Sequence, residues 1–321
     1  MLSTSRRFAS FYGYRFGAVV SEQLTHGPLQ NTYFSTQQQP LRKTLDLEWD
    51  EDKHDFAKSK ESTSKTPPLS HPSSQKREHG DTTYFLMQPV YTRSYTESIK
   101  PKHQPPVTFT DKAAYYSIQG VRRAFDWVTG YGPDMNLKKW LRRIIFLETV
   151  AGVPGMVGGM LRHLRSLRSM KRDHGWIHTL LEEAENERMH LLTFLQVRKP
   201  GFMFRSAVIV AQGVFFNLYF VSYLISPRYA HKLVGYLEEE AVKTYTHLLQ
   251  DIDSGKLPEW NEAPLPEIAK KYWKLDDEAT MRDLVLNVRA DEACHSHVNH
   301  TFGNMGKEQT NPFDKHSHTV P

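Results

Sequence analysis

Cysteine is almost missing from this chain: there is one, Cys294, among 321 residues. A single thiol excludes an intrachain disulfide and any zinc site built on several thiolates. Acidic residues are missing before Glu22, while Arg6, Arg7 and Arg15 stand there among serines. Arg-rich, Ser-containing and acid-poor is the composition expected of a mitochondrial transit peptide over residues 1–21. The segment lacks the uninterrupted apolar core of a secretory signal; a merely disordered basic terminus has the same composition. Apolar residues are then scarce over residues 22–107, where Ser, Thr, Lys and Pro dominate. Such a stretch cannot offset its ordering entropy by burial, so it reads as a polar linker and N-terminal arm. Only its part around residues 84–101 is apolar enough to pack along a domain or a partner chain. The net charge is +5, but no nucleic-acid-binding motif accompanies it, so nucleic acid is not an expected partner. Residues 306–321 form a polar tail, in which His316 and His318 read as parts of a loose end.

What is present is a helical pattern that repeats. Residues 181–194, LEEAENERMHLLTF, carry Glu187 and His190 three positions apart. At 3.6 residues per turn both point the same way. Residues 289–300, RADEACHSHVNH, repeat the spacing with Glu292 and His295. One such pair fits an exposed face of any helix; two, on separate helices, point to a shared metal site. A di-metal carboxylate bundle takes two further glutamates, each from another helix. Glu148, in the apolar run LRRIIFLETVAGVPGM, and Glu238, in HKLVGYLEEEAVKTY, supply them. Each half of the chain thus reads as a Glu helix followed by a Glu-x-x-His helix. Glu182, Glu183, Glu185, Glu239 and Glu240 fall on other faces, as do Cys294 and His297. His231 and Tyr245 lie seven residues either side of Glu238 and share its face.

Helices are expected over about 111–129, 137–170, 176–197, 202–226, 227–251, 265–273 and 276–304. The second holds Gly152, Pro154, Gly155, Gly158 and Gly159. The small residues on the Glu148 face allow close approach of neighbouring helices; a helix broken at Pro154, or kinked there, fits the same residues. Residues 206–225 contain no charge and are long enough to cross a membrane. Both flanking helices must bring ligands to one site, and threading their charges into hydrocarbon is costly. The segment therefore reads as a long crossover between bundle halves, its apolar side in one leaflet, with a fully buried crossover as the alternative. The basic run from Arg162 to Arg172 suits a solvated face or an anionic membrane surface.

LETVAGVPGMVGGMLRHL, EEAENERMHLL, YLEEEAVKTY and RADEACHSHVNH, in this order, resemble the four signature segments of the alternative oxidase family. The resemblance runs over about residues 108–305. It implies an all-α fold: a ferritin-like four-helix bundle with two additional long helices, bound monotopically to the matrix face of the mitochondrial inner membrane, and a homodimer. It implies two iron ions, held by Glu148, Glu187, His190, Glu238, Glu292 and His295, with Glu187 and Glu292 bridging. The activity implied is that of a respiratory-chain ubiquinol oxidase that reduces O2 to water, resists cyanide and pumps no protons. Asn186, Asp291, His231 and Trp176 match positions that orient the ligands by hydrogen bonds, and Tyr245 matches a redox-active tyrosine. Arg122, Asp126, Arg143, Leu147, Glu240 and Thr244 match the quinol pocket, where Arg143 is expected to bond a quinol oxygen and Glu240 to accept a proton. The regulatory N-terminal cysteine of plant members has no counterpart. The rival readings are a di-iron quinone hydroxylase and a ferritin-like iron-binding protein.

Overall fold

The computed structural model describes residues 90–313. The expected transit peptide, most of the polar linker and residues 314–321 lie outside them. The described residues hold nine helices and no strand: α1 Arg93–Ser98, α2 Phe109–Thr129, α3 Leu137–Ser169, α4 Trp176–Val197, α5 Phe202–Ile225, α6 Pro227–Asp253, α7 Pro258–Glu262, α8 Glu267–Trp273 and α9 Met281–Asn304.

Local chemistry sets the boundaries. Thr108 with Asp111, and Thr280 with Asp283, form capping boxes that start α2 and α9. The second box places the start of α9 at Met281, five residues later than the pattern around 276 suggests, because Thr280 satisfies the first free amides. Asn136 caps α3, and Ser226 caps α6 with Pro227 as its first residue. α3 runs unbroken through Pro154, so a break there does not occur.

Four of these helices form two antiparallel pairs. Along α3, Gly152 faces Ala184 and Glu187 of α4, Gly155 faces Leu180 and Ala184, and Gly159 faces Leu181. Rising numbers on one helix meet falling numbers on the other. Along α6, Lys232 lies on Gly303 of α9, Gly235 on His300, and Thr246 bonds Arg289. Close approach along α3 depends on glycine. A Cβ at Gly155 would lie 2.5 Å from the Leu180 carbonyl oxygen and 3.0 Å from the Ala184 nitrogen.

The largest apolar core lies at one end of these pairs. Trp140, Phe194, Leu248 and Leu284 meet there with Trp260, Tyr272 and Trp273 from α7 and α8. Each fully buried side chain of Leu or Phe size contributes roughly 1.5–3 kcal/mol relative to exposure. α1 and α7 are too short to leave a periodic signal in the sequence. Residues 90–107 pack along α6 and α9: Ile99 joins Val242 and Ala290, and Arg289 donates to the Thr96 carbonyl (3.0 Å).

α5 packs on α3 and α6, yet Tyr219 and Tyr223 are its only buried residues. Ile209 is 72% exposed and Leu218 64%. A fully buried crossover is therefore excluded. Trp127 and Val128 on α2, and Leu164 and Leu167 on α3, are exposed as well.

Candidate metal centre and its cavity

Glu148 from α3, Glu187 and His190 from α4, Glu238 from α6, and Glu292 and His295 from α9 are all buried. Ligand atoms of Glu148, Glu187, His190 and Glu292 all lie within 4.8 Å of one another. His190 Nδ1 is 3.4 Å from Glu148 Oε2, 3.4 Å from Glu187 Oε2 and 3.5 Å from Glu292 Oε1. His295 Nδ1 is 2.7 Å from Glu187 Oε1 and 3.9 Å from Glu292 Oε2. Glu238 and His295 stand just outside the tightest group of four, on its α6–α9 side. Glu187 and Glu292 each approach both imidazoles, Glu187 more closely.

The donor set fits a cation. Glu148 Oε2, both Glu187 oxygens, Glu292 Oε2 and His190 Nδ1 are buried without a hydrogen-bond partner of proper geometry. Unpaired buried carboxylates cost several kcal/mol each unless neutralised. Burial pushes Glu148 up to about 7 and Glu238 up to about 8, and raises Glu292 well above its ordinary range. Burial would raise Glu187 too, but His190 and His295 outweigh it and hold its carboxyl low. Burial opposes charge on the histidines, yet Glu187 lifts His295 to about 9 and, with Asp291, lifts His190 well above the ordinary value. Four carboxylates and two imidazoles are oxygen and nitrogen donors suited to iron or manganese.

Asp291 orients this set. Its Oδ2 accepts His190 Nε2–H (3.0 Å), Trp273 Nε1–H (2.9 Å) and Asn186 Nδ2–H (3.1 Å), and its Oδ1 accepts the Tyr91 hydroxyl (2.6 Å). With Nε2 donating outward, His190 turns Nδ1 toward the carboxylates. Asn186 also donates to the Tyr272 hydroxyl (3.0 Å). Tyr91, Tyr272 and Trp273 escape sequence reasoning. They come from the arm and a seven-residue helix, and their one signal is that buried Tyr and Trp need a polar partner. His231 bonds Asn299 (3.0 Å) and Tyr223 (3.1 Å), and Asn299 donates to Glu183 Oε2 (3.0 Å). Glu183 stands one turn before Glu187 and so on nearly the same side of α4, not on another face as expected; it is buried, and burial pushes it up to about 7. Trp176 stacks on Phe302 (4.1 Å) beside His231 and donates to the Gln309 carbonyl (2.8 Å), apart from the Asp291 cluster. Cys294 is buried, and burial raises its thiol well above the usual range.

Tyr245 donates its hydroxyl to Glu148 Oε1. Burial, then the Glu148 charge, raises its pKa well above the ordinary value, so it remains a phenol. It is both a core tyrosine and a partner of a candidate ligand.

A cavity of about 480 Å³ adjoins the centre. Arg122, Arg143, Leu147, Glu240 and Thr244 line it, and it reaches Glu148, Glu238, Tyr245 and Glu292. Asp126 stands behind the wall, accepting from Arg122 Nε (3.0 Å) and Arg143 Nη2 (2.5 Å). Glu240 accepts from Arg122 Nη1 (2.8 Å), Gln119 (2.8 Å) and Lys243 (2.6 Å). Arg143 Nε is buried and unpaired. The rest of the wall is apolar, with Phe125, Phe146 and Phe215 among its residues.

The sequence model of the alternative oxidase family matches residues 91–304. A mitochondrial alternative oxidase of Emericella nidulans is 56% identical over 70% of this chain and 67% of its own length. Its counterpart in Cryptococcus neoformans is 49% identical over 72% of this chain and 63% of its own length. That of Yarrowia lipolytica is 50% identical over 71% and 68%. The chain thus spans about two thirds of the length of these relatives. The matched region begins at the arm residue that bonds Asp291 and ends with the helix that carries Glu292 and His295. The chain belongs to the alternative oxidase family.

Proposed function

We propose that this chain is a terminal ubiquinol oxidase of the mitochondrial respiratory chain, cyanide-resistant and not proton-pumping. One observation carries the reading: a single apolar cavity joins two arginines to three of the candidate ligands and Tyr245. An apolar pocket with a few convergent polar groups suits a flat ring with an apolar tail. Two iron ions held by Glu148, Glu187, His190, Glu238, Glu292 and His295 would supply the binding and reduction of O2 to water. The four long helices that carry them form a ferritin-like bundle, with α5 as the crossover.

The protein's own residues do the rest. Arg143 Nε–H, the unpaired donor, bonds a quinol oxygen and places the ring edge beside Leu147 and the Glu148 carboxylate. Glu240, bonded to Arg122 and to the half-exposed Lys243, takes the proton that leaves a quinol hydroxyl and passes it outward. Tyr245 holds a proton and an oxidisable ring against Glu148, within reach of the site where oxygen is reduced. Apolar walls keep bulk water from the reacting atoms. The exposed apolar residues of α2, α3 and α5 lie in one leaflet, so a membrane quinol enters the cavity without crossing water. The relatives named as mitochondrial and the basic, acid-poor N-terminus support a mitochondrial location, to which we add the matrix face of the inner membrane, and family membership supports a homodimer.

Oxygen uptake by membranes carrying the protein, with ubiquinol as donor and cyanide present, tests the reading. Uptake that persists supports it; none from iron-loaded protein refutes it. Within the cavity, Arg143→Ala is expected to raise the quinol KM about tenfold or more, the loss of a charge-assisted hydrogen bond. Iron content should be unchanged, and steady-state quinol titration with metal analysis checks both.

A further inference from the structure

Tyr131 lies outside the cavity wall, yet both cavity arginines rest on it. The guanidinium carbon of Arg143 stands 4.0 Å from its ring centroid, and that of Arg122 5.3 Å. Arg143 also lies 4.7 Å from the Phe125 ring. Its Nη1 donates to Thr129 Oγ1 (3.0 Å) and its Nη2 to Asp126 Oδ1 (2.5 Å). A guanidinium is planar, so fixing its face and two of its nitrogens also fixes the direction of Nε–H. That nitrogen is buried without a hydrogen-bond partner.

Tyr131 is itself held from behind. Its hydroxyl bonds His247 Nδ1 on α6 (2.8 Å). Its ring meets Trp140 and His247 edge-on, with centroids 5.8 Å and 5.4 Å away. Trp140 in turn donates to Asp251 (3.1 Å). The turn that brings Tyr131 under the arginines depends on Gly130, whose φ of 62° closes α2 in the left-handed region. The Tyr131 amide then donates to the Asp126 carbonyl (3.0 Å), so the residue that pairs both arginines also locks their platform.

We infer that Tyr131, anchored through its hydroxyl to His247, is the positioning residue of the quinol-binding arginines. It holds Arg143 and Arg122 so that their donors meet a quinol oxygen. The inference rests on reading the cavity as the quinol site. Tyr131 bonds none of the candidate ligands, so its loss acts on substrate binding and leaves metal binding intact. The ring supplies the cation–π platform, and the hydroxyl supplies its orientation, which makes the two contributions separable by substitution.

The test titrates iron-loaded protein with a short-tailed ubiquinone analogue, followed by tryptophan fluorescence, and measures steady-state oxidation of the corresponding quinol. For Tyr131→Leu, Kd and KM should both rise about tenfold, with kcat within about twofold. Iron content should match wild type. Tyr131→Phe keeps the platform and loses the anchor, so Kd and KM should rise only about threefold, as they should for His247→Leu. Unchanged Kd and KM in iron-replete Tyr131→Leu protein overturns the inference. So does a joint loss of kcat and iron in all three variants, the mark of a merely structural residue. If Tyr131→Leu does not fold, the other two decide, and unchanged Kd in both overturns the inference. Wild-type protein that binds the analogue but does not oxidise quinol refutes the oxidase reading alone, and the Kd series still decides on Tyr131. Wild-type protein that binds no analogue overturns both.

Discussion

Glu187→Ala protein should emerge from iron loading without its metals and without oxidase activity. Of the two carboxylates near both His190 and His295, Glu187 makes the closer contacts, and both of its oxygens are buried without another partner. Removing it opens the centre on both sides, so metal affinity should fall by about a hundredfold or more, a ligand mattering at least as much as the groups that orient it. Neighbouring carboxylates cannot replace it. Glu183 is bonded to Asn299, and the partly buried Glu185 pairs with the exposed Arg188 (2.5 Å). Glu185→Gln is therefore the control: its iron content and turnover should match wild type, as expected for a surface pair worth little. Metal analysis after dialysis, alongside oxygen uptake, separates the two variants. Full iron content in Glu187→Ala protein would remove the central ligand from this account.

Gly155→Ala should be the most damaging single-methyl change in the helical pairs. The added Cβ would meet the backbone of α4, at the Leu180 carbonyl and the Ala184 nitrogen, and backbone cannot step aside as a side chain can. Overpacking of this kind costs roughly 1–3 kcal/mol, and at about 2–4 °C per kcal/mol the thermal midpoint should fall by several degrees. The same face brings Glu148 to Glu187, so metal retention should weaken with it. Gly213→Ala on α5 meets nothing within 4 Å. It should be neutral or slightly stabilising, because alanine is the better helix former. Calorimetry of the two variants reads the difference. Equal midpoints would mean that α3 and α4 are not held together by glycine contact.

Much of this architecture can be read from residue spacing. Glu187 with His190, and Glu292 with His295, are local pairs whose geometry follows from the helical period alone. Their meeting with Glu148 and Glu238 follows once four helices must share one site. The small residues around Pro154 likewise announce a close helix contact. Contacts that depend on distant segments leave no such trace. Nothing in the order of residues says that Tyr91 of the arm and Trp273 of a short helix both end on Asp291. Glu183, one turn from Glu187, shares its side of the helix by period, but its bond to Asn299 of α9 is not readable from that period. Tyr131 is hidden for another reason. It sits in the turn TGYGPD, where no periodicity exists, and its role depends on a left-handed glycine beside it. Trp176 shows the converse, since a residue that matches a family position lies here with His231 and Phe302 rather than with Asp291.

The chemistry assigned to the centre has one most direct test, the fate of labelled oxygen. Iron-loaded protein in membranes is given ubiquinol and 18O2, and both water and quinone are analysed. The account predicts label in water, about two quinols oxidised per O2, and no label in the quinone ring. Label inserted into the ring would contradict it and make the protein a di-iron hydroxylase working in the same cavity.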